Sequence, residues 1–118
     1  MKKIIEYPYL AIKAGVLSRD YIESIKARNF ALLVKKDRVI VVKPDAEYFT
    51  LKELQKAVEG YIEIVASTYD GFVDVVNEEG HIKELYFNEI AYILTFKQYV
   101  GNVLICPIKI LDEPEKEC

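Results

Sequence analysis

A short helix with defined ends, set between two β-branched segments, is the feature that most constrains the fold of this chain. Thr50 and Glu53 have the spacing of a capping box, in which two side chains bind backbone amides at the start of a helix. Gly60 follows the helical segment, and glycine often adopts the left-handed conformation that stops a helix. Residues 39–43 and 61–66 on either side are rich in Val and Ile, which favour strands. This segment therefore predicts a domain of mixed α and β structure.

Two more helices carry end signals of the same kind. The segment near 18–29 opens with a capping serine and closes with an asparagine that tolerates the left-handed conformation. The segment near 88–100 opens at Asn88, which is a good capping residue, and Gly101 follows it. Together with the helix near 50–60, these signals predict about three helices.

Apolar segments separated by turn residues are predicted to form the strands. Pro8 restricts the first of them to an edge strand or an extended arm. Asn77 to Gly80 is predicted to be a hairpin loop between two neighbouring strands. Hairpins mixed with single helices are typical of an α+β domain with a mostly antiparallel sheet, and we predict that fold. The predicted strands are residues 3–12, 30–34, 39–43, 61–66, 72–76, 81–85 and 102–110.

The length of the chain fits one domain. Its 118 residues are 52% apolar, which is enough for a hydrophobic core. We predict a single domain over residues 1–111 and a frayed acidic tail over residues 112–118. The N-terminal lysines precede no signal-like apolar segment, and no apolar run approaches the roughly 20 residues that span a bilayer. We therefore expect a cytoplasmic protein without membrane contact.

Charge is unevenly distributed along the chain. Residues 1–43 hold ten Lys/Arg and four Asp/Glu, or +6, while residues 44–118 hold six and fifteen, or −9, which together give the net charge of −3. The two parts either neutralise each other on folding or present charged surfaces to partners of opposite charge. Residues 30–34 and 39–43 are predicted to form a hairpin, with one long strand as the alternative. A basic patch is predicted around this hairpin, where it could follow phosphates, but the acidic total argues against nucleic-acid binding. The residues of this predicted basic patch are Lys35, Lys36, Arg38 and Lys43.

The order of motifs after residue 39 is distinctive. Residues 51–63 read L-K-E-L-Q-K-A-V-E-G-Y-I-E, followed by N-E-E-G at 77–80 and L-Y-F-N at 85–88. Over residues 39–108 this order resembles a small family of domains of unknown function found in bacteriophages, mobile elements and gut bacteria. Glu59 departs from the family pattern, which has glycine there, and Tyr86 stands where proline is usual. The resemblance implies a shared fold and a mobile-element origin, treats residues 1–36 as an N-terminal extension, and transfers no catalytic residue.

The residues that carry most enzymatic chemistry are sparse. His81 is the only histidine, and a tight metal site needs three or four converging ligands. No serine lies in a nucleophile-elbow motif, and no glycine-rich loop is present to hold phosphate. Cys106 lies in an apolar run typical of a buried residue. We therefore predict no catalytic residue, no metal site, no cofactor, and a protein that is not an enzyme.

Polar residues and tyrosines that local structure does not require are the candidates for binding. Glu63, Asn77 and Glu78 lie within the family-like motifs without an evident folding role. Tyr61 and Tyr86 are further candidates among the nine tyrosines, because tyrosine is enriched where proteins meet their partners.

These observations support several functional hypotheses. The leading one is a small non-enzymatic protein that binds a host protein, or a copy of itself, through its sheet and a tyrosine-bearing surface. The alternative is a small-ligand binder, for nucleotide-like molecules in a pocket between subunits. A nucleic-acid-binding accessory protein ranks below both, and an enzyme that uses an unrecognised site at Glu63 is a further alternative.

Overall fold

The computed structural model describes residues 1–111, which form one six-stranded sheet with helices on both faces. The acidic segment 112–118, for which a frayed tail is predicted, lies outside the described residues. Short 3-10 turns follow the second helix, at Lys26–Arg28, and the last strand, at Ile108–Ile110. The strands are β1 (Lys2–Pro8), β2 (Ala31–Val34), β3 (Arg38–Lys43), β4 (Ile62–Ala66), β5 (Phe72–Asn77) and β6 (Val103–Pro107), and the helices are α1 (Tyr9–Lys13), α2 (Arg19–Ile25), α3 (Leu51–Val58) and α4 (Glu89–Thr95).

The strand order across the sheet is β1-β3-β2-β6-β5-β4, and every neighbouring pair is antiparallel. The predicted α+β fold with a mostly antiparallel sheet is therefore confirmed. β1 and β4 form the two edges of the sheet. No helix within residues 1–111 is long and apolar enough to cross a membrane.

The two faces of the sheet are covered unequally. Strand side chains alternate between the faces, so Leu32 and Val34 contribute to one hydrophobic cluster and Leu33 to the other. The first face packs against α1, α2 and α4, and we call it the three-helix face. The second packs against α3, through Leu54 and Val58, and against Phe49 and Ile110, and we call it the α3 face. Because α3 is short, residues 1–111 leave part of the sheet on the α3 face uncovered.

The start of α3 is as predicted, but its end differs. The Thr50 hydroxyl accepts a hydrogen bond from the Glu53 amide at 3.1 Å, and the Glu53 carboxylate accepts one from the Thr50 amide at 2.8 Å. The left-handed residue after the helix is Glu59, with φ 64°, rather than Gly60. Gly60 is needed for another reason, because a Cβ atom there would lie 2.6 Å from the Asn77 side-chain nitrogen.

The other two predicted helices are present and shorter than predicted. The helix near 18–29 is α2 followed by a 3-10 turn, and Asn29 is left-handed at φ 61°, as its sequence position predicts. α4 ends at Thr95, so the predicted extension to residue 100 is wrong. The hydroxyl of Thr95 donates to the Ala91 carbonyl at 2.8 Å and accepts from the Lys97 amide at 3.1 Å, which turns the chain out of the helix.

Two strand predictions need correction. Residues 81–85 form turns rather than a return strand, because β4 and β6 already occupy both sides of β5. Ile82 is 82% exposed there, so the segment has no apolar face to bury. The predicted strand 3–12 is an edge strand, but it ends at Pro8 and continues as α1. Proline favours this change because it fits the start of a helix but cannot donate to a sheet.

Candidate functional site

A groove with a volume of about 420 Å³ lies on the α3 face. It exists because α3 packs over β5 and β6 and leaves the β1-β3-β2 side of this face uncovered. Its floor is aliphatic, built from Leu33, Ile40, Val42 and Ala57. A groove of this size and character is typical of a binding site rather than of ordinary surface relief.

Four lysines surround this floor, and we call the concavity the lysine groove after Lys3, Lys35, Lys52 and Lys56. Lys52 and Lys56 lie one turn apart on α3, while Lys35 follows β2 directly. Lys3 lies on β1 opposite Val42, so both residues share the α3 face. Positive charge therefore lines both walls of the groove, although the chain carries a net charge of −3.

Three of these four lysines form no ion pair with another residue of the described range 1–111. The ammonium of Lys3 contacts the Glu6 carboxylate at 2.7 Å. Within residues 1–111, no carboxylate lies within ion-pair distance of Lys35, Lys52 or Lys56. Among the described residues, the charge of these three ammonium groups is therefore not compensated by an ion pair.

Three carboxylates line the groove, and two of them, Asp45 and Glu53, are already occupied. The third, Glu59, is exposed and forms no ion pair within residues 1–111. The amino group of Met1 lies 2.6 Å from Asp45 and 2.7 Å from Glu53. Burial opposes ionisation of Glu53, but hydrogen bonds from Met1, Thr50 and Asp45 outweigh it and lower the pKa of this carboxyl. Both acids therefore compensate the amino group of Met1 and not the lysines.

The lining of the groove is aliphatic and charged. Among the described residues it contains no aromatic, histidine or cysteine side chain. Within residues 1–111, no group of three or more His, Cys, Asp or Glu could hold a metal ion. Cys106 is fully buried as predicted, and burial raises the pKa of its thiol to about 12, which makes it a poor nucleophile.

The predicted basic patch is spread over several surfaces. Only Lys35 lines the lysine groove. The Lys36 ammonium lies 6.0 Å from the centre of the Tyr86 ring on another part of the surface. Lys43 lies at the far end of β3, where it lines a separate hollow with Arg28.

Arg38, the fourth member of that patch, is engaged in ion pairs. Its guanidinium contacts Asp37 at 2.8 Å and Glu6 at 3.4 Å. Three of the four groove lysines, Lys3, Lys52 and Lys56, were not among the predicted binding residues. The spacing of Lys52 and Lys56 on a helix, which places them on one face, could have indicated these two.

Asn77 has a structural role that the sequence did not show. It is only 5% exposed. Its side-chain nitrogen donates to the Val58 carbonyl at 3.0 Å and the Glu59 carbonyl at 3.3 Å, and its oxygen accepts from the Glu79 amide at 2.8 Å. Asn77 therefore caps the end of α3 and shapes the turn after β5. Glu78, the next residue, is exposed.

The other predicted binding residues do not converge with Asn77. Glu63 is exposed and pairs with Val76, which places it on the three-helix face, whereas Asn77 lies on the α3 face. Tyr61 is 63% exposed beside the edge strand β4. No pocket joins these positions among the best-formed cavities of residues 1–111.

Tyr86 contacts the groove wall indirectly. Its hydroxyl donates to the Asn102 side-chain oxygen, and burial raises the pKa of Tyr86 to about 12. Asn102 lines the groove, and its nitrogen donates to the Ala57 carbonyl at 3.1 Å. This chain of hydrogen bonds fixes the loop that carries Tyr86 against α3. Tyr86 therefore helps to position the wall of the lysine groove without lining it.

A family comparison covers most of the elements that build this groove. The profile of one family, described as a domain of unknown function (DUF3846), matches residues 29–113. The chain belongs to this family. The DUF3846 match includes β2, β3 and α3, and so all the groove lysines except Lys3. It begins within the segment 1–36 that the sequence analysis treats as an extension.

The remaining comparisons add no function to the DUF3846 assignment. No curated protein and no solved structure matches the chain.

Proposed function

We propose that this DUF3846 protein is a non-enzymatic interaction protein that binds an acidic peptide segment of a partner protein in the lysine groove. The observation that carries the proposal is the pairing of an aliphatic floor with three lysines that lack an ion-pair partner within residues 1–111. In this proposal the uneven charge of the chain presents a basic surface to an acidic partner, rather than being neutralised entirely on folding.

Charge complementarity supports an acidic ligand. Each carboxylate that pairs with an exposed lysine contributes about 0.2–1 kcal/mol, and salt weakens the pairing. Lys52 and Lys56 on one wall and Lys35 on the other can contact carboxylates along one extended segment. Binding is therefore expected to be modest in affinity and to weaken as the salt concentration rises.

The floor supports a peptide rather than a nucleotide. Leu33, Ile40 and Val42 offer an aliphatic surface against which Leu, Ile or Val of a partner can be buried. Proteins that bind bases commonly stack them on aromatic side chains, and the groove has none. A segment in which acidic and aliphatic residues alternate matches both the walls and the floor.

A small nucleotide-like ligand is the second candidate. The groove volume of about 420 Å³ lies within the range of small-molecule pockets. The lysines could pair with phosphate groups as they would with carboxylates. The two candidates are separated by experiment below.

We further propose that the partner is a host protein. The order of motifs over residues 39–108 resembles that of domains from phages and mobile elements, and this resemblance supports the proposal. The protein would modulate that partner in the cytoplasm by occupying its acidic segment.

Fluorescence anisotropy with labelled ligands tests the proposal. The ligands are an eight-residue peptide of alternating Glu and Leu, the same peptide with Lys for Glu, ATP, GTP and single-stranded DNA. We expect the Glu/Leu peptide to bind, and the double variant Lys52→Gln, Lys56→Gln to bind it about 2–30-fold more weakly, since two ion pairs are lost.

A matched double variant, Lys13→Gln with Lys109→Gln, changes net charge equally outside the groove and should bind within about twofold of the parent protein. An equal loss of peptide affinity in the two double variants would show that net charge alone causes the effect. That result would refute binding in the lysine groove. Binding of ATP or GTP without the peptide, lost in the groove variant, would establish the second candidate instead.

A further inference from the structure

An exposed aromatic cluster lies on the side of the sheet opposite the lysine groove. Phe87, Tyr92 and Phe96 are 52%, 41% and 75% exposed on the outer surface of α4, and we call them the aromatic patch. The ring centres of Phe87 and Tyr92 are 6.2 Å apart, and those of Tyr92 and Phe96 are 6.5 Å apart. The three rings therefore form one contiguous apolar surface.

Local folding explains two of the three residues. Phe87 precedes the capping residue Asn88, and Tyr92 follows in the first turn, which is the arrangement of a hydrophobic staple. Their contact fixes how the chain enters α4. Phe96 lies one turn beyond Tyr92 and adds an edge-to-face contact, which stabilises a helix only slightly.

Phe96 has no such explanation. It occupies the left-handed conformation at the end of α4, with φ 63°. Glycine or asparagine is preferred at that position, and a bulky residue there loses more free energy than the contact with Tyr92 gains. Phe96 therefore destabilises the isolated monomer in two ways, through its left-handed backbone and through the exposure of three quarters of its side chain to water.

The exposed area is consistent with the centre of a protein interface. With about 200 Å² for each aromatic side chain, the patch exposes roughly 350 Å². A stable dimer of ordinary size buries about 800 Å² on each partner, with an apolar centre and a polar rim. The patch supplies more than a third of one side.

We propose that the aromatic patch is a self-association interface, in which a second copy of this chain packs its own patch across a two-fold axis. None of the three side chains is charged, so two copies with a net charge of −3 each meet without like charges at the centre. An acidic or basic partner would find no complementary charge among these rings. Two-fold dimers are the commonest oligomers, and their interfaces are the more apolar class.

Sedimentation velocity from about 1 to 200 µM tests the proposal, with Phe96→Gly as the variant. We expect a concentration-dependent dimer in the parent protein and at least about tenfold weaker dimerisation in Phe96→Gly, since one substitution removes a ring from each copy. In urea unfolding of dilute protein, Phe96→Gly should instead be more stable than the parent. Glycine relieves the left-handed strain and raises the unfolding midpoint of the monomer.

Ile64→Ala is the matched control, because Ile64 is exposed and its pairing with Val75 places it on the α3 face. It should leave dimerisation unchanged. Tyr92→Ser provides a second variant that should weaken the dimer. A monomer throughout the concentration range, or a dimer that neither patch variant weakens, would overturn the proposal.

Discussion

Asn77 and Gly60 offer the sharpest test of how α3 is held. The Asn77→Ala change removes two hydrogen bonds to carbonyls at the end of α3 and one from the Glu79 amide. Net contributions of about 0.5–1.5 kcal/mol per hydrogen bond predict a loss of about 2–4 kcal/mol in the free energy of unfolding. That is a large part of the roughly 5–15 kcal/mol by which domains are stable.

Gly60→Ala should cost nearly as much, because it disturbs the same hydrogen bonds. Its new Cβ atom would lie 2.6 Å from the Asn77 nitrogen and 3.3 Å from the ammonium of Lys83, which is flexible and can move away. Gly60 lacks the positive φ that would add backbone strain. The cost is therefore a displacement of the Asn77 side chain, estimated at about 2 kcal/mol.

The two changes are therefore expected to be strongly non-additive. Once Asn77 is alanine, Gly60→Ala should be close to neutral, and it could even stabilise the protein by restricting the unfolded chain. Urea unfolding of the parent, both single variants and the double variant measures the coupling, for which we expect about 2 kcal/mol with unchanged m-values. Gly15→Ala, at a site with nothing within 4 Å, is the control and should add independently to Asn77→Ala. Costs of Gly60→Ala and Asn77→Ala that add within about 0.5 kcal/mol would refute the reasoning.

Two further predictions concern a strained residue and a buried acid. Glu59→Gly should raise the free energy of unfolding by about 0.5–1 kcal/mol in urea, because Glu59 is left-handed at φ 64°; an unchanged midpoint would contradict this. Burial raises the pKa of Asp74 above its usual 3.8, although the Tyr99 hydroxyl, 2.7 Å away, opposes the shift. The folded protein therefore binds this proton more tightly, so the contribution of Asp74 to stability falls as pH rises from about 3.8 through its folded pKa. Asp74→Asn should remove that fall when unfolding curves from pH 4 to 8 are compared, and parallel pH profiles for the two proteins would count against it.

Local signals in the sequence predicted helix starts and one helix end well, because they depend on residues close in the chain. Thr50 and Glu53 form the capping box at the start of α3, and Asn29 ends the second helical segment in the left-handed conformation. The same local reasoning failed for residues 81–85, because whether a segment becomes a strand depends on a free neighbour in the sheet. β6 takes the place beside β5 that a hairpin partner would need.

The lysine groove could not be predicted from the sequence for a similar reason. Lys3, Lys35 and Lys52 come together only because β1 pairs with β3 at the far edge and α3 returns across the α3 face. The predicted patch grouped Lys35 with Lys43, which is close in sequence but lies at the other end of the hairpin. The candidates Glu63 and Asn77 were separated by the alternation of strand side chains, which depends on the register between β4 and β5.

The positions of the lysine groove and the aromatic patch make the two proposals compatible. The groove lies on the α3 face, and α4 carries the patch on the three-helix face, so the sheet separates them. A dimer formed through the patch would therefore leave both grooves open to solvent. Two grooves held in one assembly raise the effective concentration for a partner that carries two acidic segments, and such a partner would bind more tightly than either segment alone. Dimerisation would thus raise the affinity for such a partner, although each ion pair in a single groove is weak.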